Sequence, residues 1–189
     1  MIDGIISAFK DVRNEIGSSF KDIVPNFAKG MESNIKSFAE ADKSLLSGWN
    51  KEKIDCRNEG LAGKEHPETG VKFERKTIEV NGKLYEVVVP KFESEFEAEL
   101  GEELQTESDA KQFKECNRQL KEAVQNDPEL RKKFTEEQLE QINENETPDG
   151  YTWHHDAEVG KMQLVDSEIH AKTAHTGGKA IWGGGSQNR

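Results

Sequence analysis

The sequence predicts an α+β fold that is mainly helical, with one β-hairpin and a C-terminal unit of strand, loop, strand and helix. Apolar residues recur every three or four positions over much of the chain, which is typical of amphipathic helices. Two β-branched runs flank Asn81 and Gly82, and a second pair of short runs encloses Gly160. No apolar run approaches the roughly 20 residues that span a bilayer, and the N-terminus lacks the features of a Sec signal.

The first fifty residues carry two apolar stripes that Pro25 separates. They predict an antiparallel helix pair, and we assign residues 1–54 to a helical N-terminal extension. The pair either packs on itself or docks a partner such as a delivery component. Residues 55–72 are rich in Gly, Pro and Thr and predict a linker, which places a second domain at residues 73–189.

The second domain begins with the hairpin, in which Asn81 and Gly82 favour a type I′ turn and Pro90 closes the second strand. An acidic helix is predicted next, because Phe92, Phe96 and Leu100 repeat every four residues. Further helices are predicted to start near Ser108 and after Asp127, which precedes a proline. The apolar positions of these two helices are Phe113, Cys116, Leu120 and Val124, then Leu130, Phe134, Leu139 and Ile142.

The net charge of −11 is concentrated in the middle of the chain, where residues 91–150 carry 8 basic and 18 acidic side chains. Charges more than about 8–10 Å away are screened at physiological salt, so this acidity does not exclude a nucleic-acid ligand for the C-terminal segment. The glutamates form a solvated surface or, alternatively, shield a nucleic-acid groove. Cys56 and Cys116 lie far apart without metal-ligand spacing and are predicted to be reduced structural thiols.

The last forty residues contain four of the five histidines: His154, His155, His170 and His175. Three imidazoles on one metal leave coordination positions open for water or a phosphate oxygen, as in catalytic sites. Adjacent histidines supply one ligand and one base with a pKa near neutrality. Neighbouring residues of a regular strand point to opposite faces, so a shared site requires the strand to end or bulge there. Trp153 and Trp182 are predicted to pack beneath the site.

The motif residues occur in the order Gly150, Tyr151, Trp153, His154, His155, Gly160, Met162, Gln163, Leu164, Val165, His170, His175, Gly177 and Gly178. This run resembles the WHH family of the HNH and endonuclease VII superfamily. Members of that superfamily are ββα-metal nucleases, found largely as toxin modules of bacterial competition systems. The resemblance implies a ββα-metal, treble-clef-like core over residues 150–178.

Carried over residue by residue, the resemblance makes His155 the general base and His154 and His170 metal ligands, with His175 as the third ligand. Gln163 stands where related nucleases have an asparagine that positions the base. His170 and His175 are five residues apart, about 140° around an ideal helix. Either the helix ends near Thr173 and the chain turns His175 inward, or His175 is not a ligand. Gln163 lies closer to His170 than in many HNH proteins, which leaves its equivalence with the asparagine open.

The resemblance further implies a non-specific endonuclease with one divalent cation, which is Mg²⁺, Zn²⁺, Ni²⁺ or Mn²⁺. DNA is the expected substrate and RNA the other candidate. A toxic effector of this kind implies a cognate immunity protein. We expect it to be made in the bacterial cytoplasm, exported by a specialised system and active in the cytoplasm of the target cell.

A non-enzymatic module is the alternative. In it, a closed zinc site of four histidines, or three with Asp156, stabilises a domain that recruits a protein partner.

Overall fold

A computed structural model describes residues 51–185, and the predicted N-terminal helix pair lies outside the described residues. Helices and small sheets alternate, which confirms the α+β class. None of the helices within residues 51–185 is long and apolar enough to cross a membrane. In chain order the strands are β1 (Glu52–Lys53), β2 (Lys72–Val80), β3 (Lys83–Lys91), β4 (Phe96–Glu99), β5 (Tyr151–His155) and β6 (Lys161–Asp166). The helices are α1 (Glu102–Gln105), α2 (Asp109–Asn126), α3 (Pro128–Arg131), α4 (Glu136–Asn143), α5 (Ser167–Lys172) and α6 (Gly178–Ile181).

The first sheet has the strand order β1-β3-β2 and is built around the predicted hairpin. Asn81 and Gly82 have φ values of 53° and 74°, the paired positive values of a type I′ turn. The antiparallel register runs from Val80 opposite Lys83 to Lys72 opposite Lys91, one residue beyond the predicted end at Pro90. The hairpin prediction is confirmed.

Residues 55–72, predicted to be a linker, are held against this sheet. Cys56 is buried in the sheet's apolar cluster, and a short 3-10 helix spans Glu59–Leu61. Gly63 donates from its backbone to the carbonyl of Phe73, and Phe73 donates back to Lys64. The domain boundary that we placed here stays a prediction.

The second sheet has the order β4-β6-β5, and its first strand corrects one prediction. Phe96–Glu99 pairs antiparallel with β6, where a helix was expected from Phe92 onward. Glutamate occupies every second position between Phe92 and Leu100, so the segment fits a two-residue repeat as well as a four-residue one. Pairing with β6 selects the strand, and α1 begins only at Glu102.

The long helix α2 supplies the core beneath the second sheet. Ser108 is its N-cap residue, as predicted, and Cys116, Leu120 and Val124 are buried against β4 and β6. The side chain of Asp127 accepts hydrogen bonds from the backbone of the first turn of α3, which Pro128 begins. Both cysteines are free and buried, as expected of structural thiols.

The C-terminal unit follows the predicted order of strand, loop, strand and helix. Strands β5 and β6 pair antiparallel, with His154 opposite Gln163 and His155 opposite Met162. Asp166 caps α5 by accepting a hydrogen bond from the backbone of Ile169. Trp153 and Trp182 are buried, which confirms their predicted packing role.

Candidate metal centre

Strand β5 presents its two histidines to opposite faces of the second sheet. It is an edge strand, and His155 is its last residue. Trp153 and Met162, which share the face of His155, belong to the apolar core that packs on α2. His154 lies on the opposite face and is also buried. We call the side of His154 the imidazole face and the side of His155 the amide face.

On the imidazole face three ring nitrogens converge. Nδ1 of His154 lies 3.2 Å from Nε2 of His170 and 3.3 Å from Nε2 of His175. Nitrogen ligands about 2.0–2.1 Å from a tetrahedral metal lie about 3.3–3.4 Å apart, so the observed spacing fits a metal site. Within residues 51–185, these three histidines are the one group of potential ligands that could hold a metal ion.

The protonation state of the three rings also favours metal binding. Burial, together with the neighbouring rings of His175 and His170, holds the pKa of His154 well below its usual value. Burial and His175 lower the pKa of His170 to about 4, and burial lowers the pKa of His175. The rings are therefore neutral at pH 7, which is the form that binds metals.

Two contacts around the cluster orient the rings. The Nδ1–H group of His175 donates to the carbonyl of Thr173 at 2.6 Å. The lone pair of the neutral ring is then on Nε2, which faces the cluster. Phe92 packs against all three imidazoles, with ring centroids 4.8 to 5.4 Å away. An apolar ring here keeps water from one side of the cluster, which strengthens electrostatic interactions within it.

His175 reaches the cluster because α5 ends at Lys172. The chain then turns, so the angular separation expected for one continuous helix does not apply. Three contacts from the segment at residues 55–72 support the turn. Asn58 donates to the carbonyl of Ala174, the backbone of Arg57 donates to Thr176, and the hydroxyl groups of Thr69 and Thr173 lie 2.7 Å apart.

On the amide face His155 meets a polar group at the start of α2. Its Nε2 lies 2.8 Å from Oε1 of Gln112 and 3.9 Å from Oδ1 of Asp109. The ammonium group of Lys179, from α6, lies 3.0 Å from the same oxygen of Asp109 and 3.1 Å from Oε1 of Gln112. Trp182 and Phe113 contact the ring of His155 from its other sides.

Both faces open onto one cleft of about 430 Å³ along the free edge of β5. His154, His155, His170 and His175 all line it, together with Asp109 and Lys179. The strand end at His155 and the edge position of β5 give both faces access to the same space. This arrangement places a cluster of neutral imidazoles next to a separate, hydrogen-bonded imidazole.

Two other predicted residues lie apart from the cleft. The side chain of Gln163 shares the sheet face of His154 and donates to Oε1 of Glu97 at 2.9 Å. The carboxylate of Asp156 accepts from the backbone of Glu158 and lies 4.0 Å from the ammonium of Lys76. The positioning role of Gln163 stays a prediction.

The paired glycines after His175 allow α6 to lie close to β5. A Cβ atom on Gly178 would lie 1.9 Å from the carbonyl oxygen of Asp156 and 2.3 Å from Nε1 of Trp182. A Cβ atom on Gly177 would touch the backbone of His155 and the rings of His154 and His175. Glycine at these two positions therefore lets the helix that carries Lys179 lie against the strand end.

The sequence that forms this cleft matches a known family. Residues 82–177, about half of the chain, match the DNase/tRNase domain of colicin-like bacteriocins. The chain belongs to this family. The matched region begins in the β2–β3 turn and includes all four histidines of the cleft, and membership implies nuclease activity in a bacterial toxin. No curated protein and no solved structure matched the chain.

In the colicin-type nuclease domain, three residues that surround the histidines were not predicted to belong to the site: Phe92, Gln112 and Lys179. Gln112 had a detectable signal, because it stands four residues before Cys116 and continues the buried stripe of α2. A polar side chain in such a stripe indicates a buried hydrogen-bonding partner. Lys179 had no comparable signal, because its partners lie about seventy residues earlier in the chain.

Proposed function

We propose that this colicin-type nuclease domain is a metal-dependent, non-specific endonuclease of the HNH type, in its WHH variety, that hydrolyses DNA. The observation that supports this best is the convergence of three neutral imidazoles in a cleft that a fourth histidine also lines. The family description names both DNase and tRNase domains, so RNA is the competing substrate.

His154, His170 and His175 would hold one divalent cation. All three donors are imidazole nitrogens, a set that suits Zn²⁺ or Ni²⁺ better than Mg²⁺, which prefers oxygen ligands. Mn²⁺ is the remaining candidate. When bound, such a cation supplies Lewis-acid stabilisation of the charge on the scissile phosphate and on the departing 3′ oxygen.

His155 would act as the general base. It takes a proton from a water molecule in the cleft, and the resulting hydroxide attacks phosphorus while the bond to the 3′ oxygen breaks. The departing 3′ oxygen takes a proton from solvent, so the products are a 5′-phosphate and a 3′-hydroxyl end, and His155 afterwards releases to solvent the proton that it took. Histidine suits this role because its pKa lies near neutrality, and Gln163 is assigned to positioning.

The proposed activity defines the biological setting. A non-specific nuclease would destroy the DNA of the cell that makes it, so we assign a cognate immunity protein as its partner. We further propose that the toxin is exported by a specialised system and acts in the cytoplasm of a competing bacterium. Membership of a bacteriocin family supports this setting.

A plasmid-cleavage assay tests the proposal. The purified full chain is incubated with supercoiled plasmid, or with tRNA, in separate Mg²⁺, Mn²⁺, Ni²⁺ and Zn²⁺ buffers. We expect cleavage of the plasmid in at least one metal, and loss of about 10²- to 10⁴-fold in rate for His155→Ala. His66→Ala is the matched control, because His66 lies outside the cleft and should leave the rate unchanged.

Absence of cleavage of both substrates in every metal would overturn the nuclease proposal. Cleavage of tRNA alone would replace DNA by RNA as the substrate. A His155→Ala variant as active as the wild type would remove His155 from the role of base.

A further inference from the structure

Gln112 lies at the start of α2 with its side chain fully buried beside His155. Its amide nitrogen donates two hydrogen bonds, to the carbonyl of Leu104 at 2.8 Å and to the carbonyl of Gln105 at 2.7 Å. Its amide oxygen lies 2.8 Å from Nε2 of His155 and 3.1 Å from Nζ of Lys179. Every polar atom of this buried side chain therefore has a partner.

These contacts fix which way the amide points. Two carbonyl oxygens face one end of the Gln112 amide and accept only from its NH₂ group. An ammonium group faces the other end, and it has donors but no acceptor. The oxygen of Gln112 must therefore face both Lys179 and His155, because the flipped amide would lose its hydrogen bonds to Leu104, Gln105 and Lys179.

The amide orientation in turn determines the tautomer of His155. An amide oxygen only accepts, so Nε2 of His155 must carry a hydrogen atom that it donates. A neutral imidazole has one protonated nitrogen, and its lone pair then lies on Nδ1. Asp109 is a weaker competitor for the same proton, because its oxygen lies 3.9 Å from Nε2 and pairs with Lys179 at 3.0 Å.

We propose that Gln112 is a positioning residue of the nuclease, which holds neutral His155 in the tautomer protonated at Nε2 so that Nδ1 accepts the proton from water. The proposal rests on the proposed role of His155 as general base. It adds a residue that acts through His155 and has no need to touch the substrate.

Lys179 supports the same arrangement. An ammonium group has three donors, and those of Lys179 have three acceptors nearby: the carbonyl of Glu107 at 2.9 Å, Asp109 at 3.0 Å and Gln112 at 3.1 Å. The residue is 5% exposed, and its ammonium group makes two hydrogen bonds and an ion pair with Asp109. It joins α6 to the start of α2 and secures the oxygen of Gln112.

The test combines substitution with a direct observation of the tautomer. Gln112→Met keeps a similar volume and removes the acceptor, so we expect kcat for plasmid cleavage to fall about 10- to 100-fold. KM and the Kd for Zn²⁺ should stay within about twofold, because the change leaves the three ligands in place. Gln112→Glu restores an oxygen acceptor toward His155 but loses the donors to Leu104 and Gln105, so it should recover only part of the lost kcat.

The tautomer is read by ¹⁵N NMR on the Zn²⁺-loaded full chain, with the His155 signals assigned by comparison with His155→Ala. We expect the proton on Nε2 in the wild type and a mixture of tautomers in Gln112→Met. Gln119→Met is the matched control, because Gln119 also bridges α2 to a neighbouring element, the backbone of Glu99. It should change neither kcat nor the tautomer.

A wild-type His155 protonated at Nδ1 would overturn the inference, and so would a folded Gln112→Met variant with unchanged kcat. The NMR measurement on the wild type needs no variant, so it decides the matter even if Gln112→Met fails to fold. If the wild type cleaves neither DNA nor RNA, the proposed function fails while the tautomer is still measured. If His155→Ala is inactive and Gln112→Met is unaffected, only this inference fails.

Discussion

The imidazole face and the amide face of β5 present the same residue type to different surroundings. His154 meets two further imidazoles and Phe92, with no charged side chain among those contacts. His155 meets an amide, and an ion pair of Asp109 with Lys179 lies beside that amide. The two histidines are adjacent in sequence, and only the alternation of side chains along a strand separates them.

The difference shows that the surroundings of a histidine determine whether its ring suits metal binding or proton transfer. Three ring nitrogens that converge at 3.2 and 3.3 Å could hold a metal ion. A ring nitrogen that donates to a buried amide oxygen has its tautomer fixed, which suits proton transfer by the other nitrogen. Each face can be tested by a change that should leave the other intact.

The largest effect is expected from replacing each of the two histidines, because only the substitution on the imidazole face should abolish metal binding. His154→Ala removes one of three ligands and should abolish both Zn²⁺ binding and plasmid cleavage. His155→Ala should lower the cleavage rate about 10²- to 10⁴-fold while Zn²⁺ binds with a Kd within about twofold of the wild type. Isothermal titration calorimetry and the plasmid assay on the same preparations check this. Equal loss of Zn²⁺ affinity in both variants would contradict two separate roles.

The next effect concerns the packing of α6 on the amide face. Gly178→Ala places a methyl group 1.9 Å from the carbonyl oxygen of Asp156, so α6 must move away from the end of β5. We expect the free energy of unfolding to fall by about 2 kcal/mol, as measured by urea denaturation. Gly60→Ala is the control, since no atom lies within 4 Å of the added methyl group there and its φ is not positive. Equal stability of the two variants would show that α6 does not need this close approach.

A smaller effect is expected from the apolar side of the imidazole face. Phe92→Leu loosens the packing of the three rings and should weaken Zn²⁺ binding about tenfold, while kcat at saturating Zn²⁺ stays within about twofold. The control is Phe113→Leu, because Phe113 packs against His155 with ring centroids 5.9 Å apart. Calorimetry should show no change in Zn²⁺ affinity for this control, and tenfold weakening there would mean that the faces are coupled.

The smallest effect is a pH dependence of the metal-free protein. The pKa of His170 is about 4 in the folded protein and about 6.5 in an unfolded chain, so the folded state binds fewer protons between these values. The stabilisation by neutral His170 is fully present above pH 6.5 and is lost as the pH falls toward 4. Urea denaturation in EDTA from pH 7 to pH 4 should show a shallower decline for His170→Gln. Parallel curves for variant and wild type would contradict the prediction.

Local sequence signals predicted much of the fold and the imidazole face. The Asn81 and Gly82 pair determines a turn within a few residues, and Asp127 with Pro128 determines a helix start. The ligand candidates were found because they are close together in sequence. The turn that brings His175 inward was one of two open alternatives, since ideal helix geometry alone does not say where α5 ends.

The residues that were missed depend on contacts between distant parts of the chain. Gln112 and His155 are 43 positions apart, and no local repeat relates them. The segment from Phe92 to Leu100 satisfies strand and helix periodicities equally, so its pairing with β6 decides the structure. The packing of residues 55–72 is a further case, since glycine and proline content gave no indication that Asn58 supports the turn with His175.

The length of the turn between β5 and β6 affects which histidine lies on which face of the sheet. A slip of one residue in the pairing of these strands would reverse every side chain, so His155 would face His170 and His154 would face Gln112. The turn is fixed where Gly160, at φ 79°, accepts from the backbone of Leu100. An insertion of one residue between the strands that shifted this register would exchange the surroundings of the two histidines without altering either one, so the length of this turn helps to determine which histidine lies on which face.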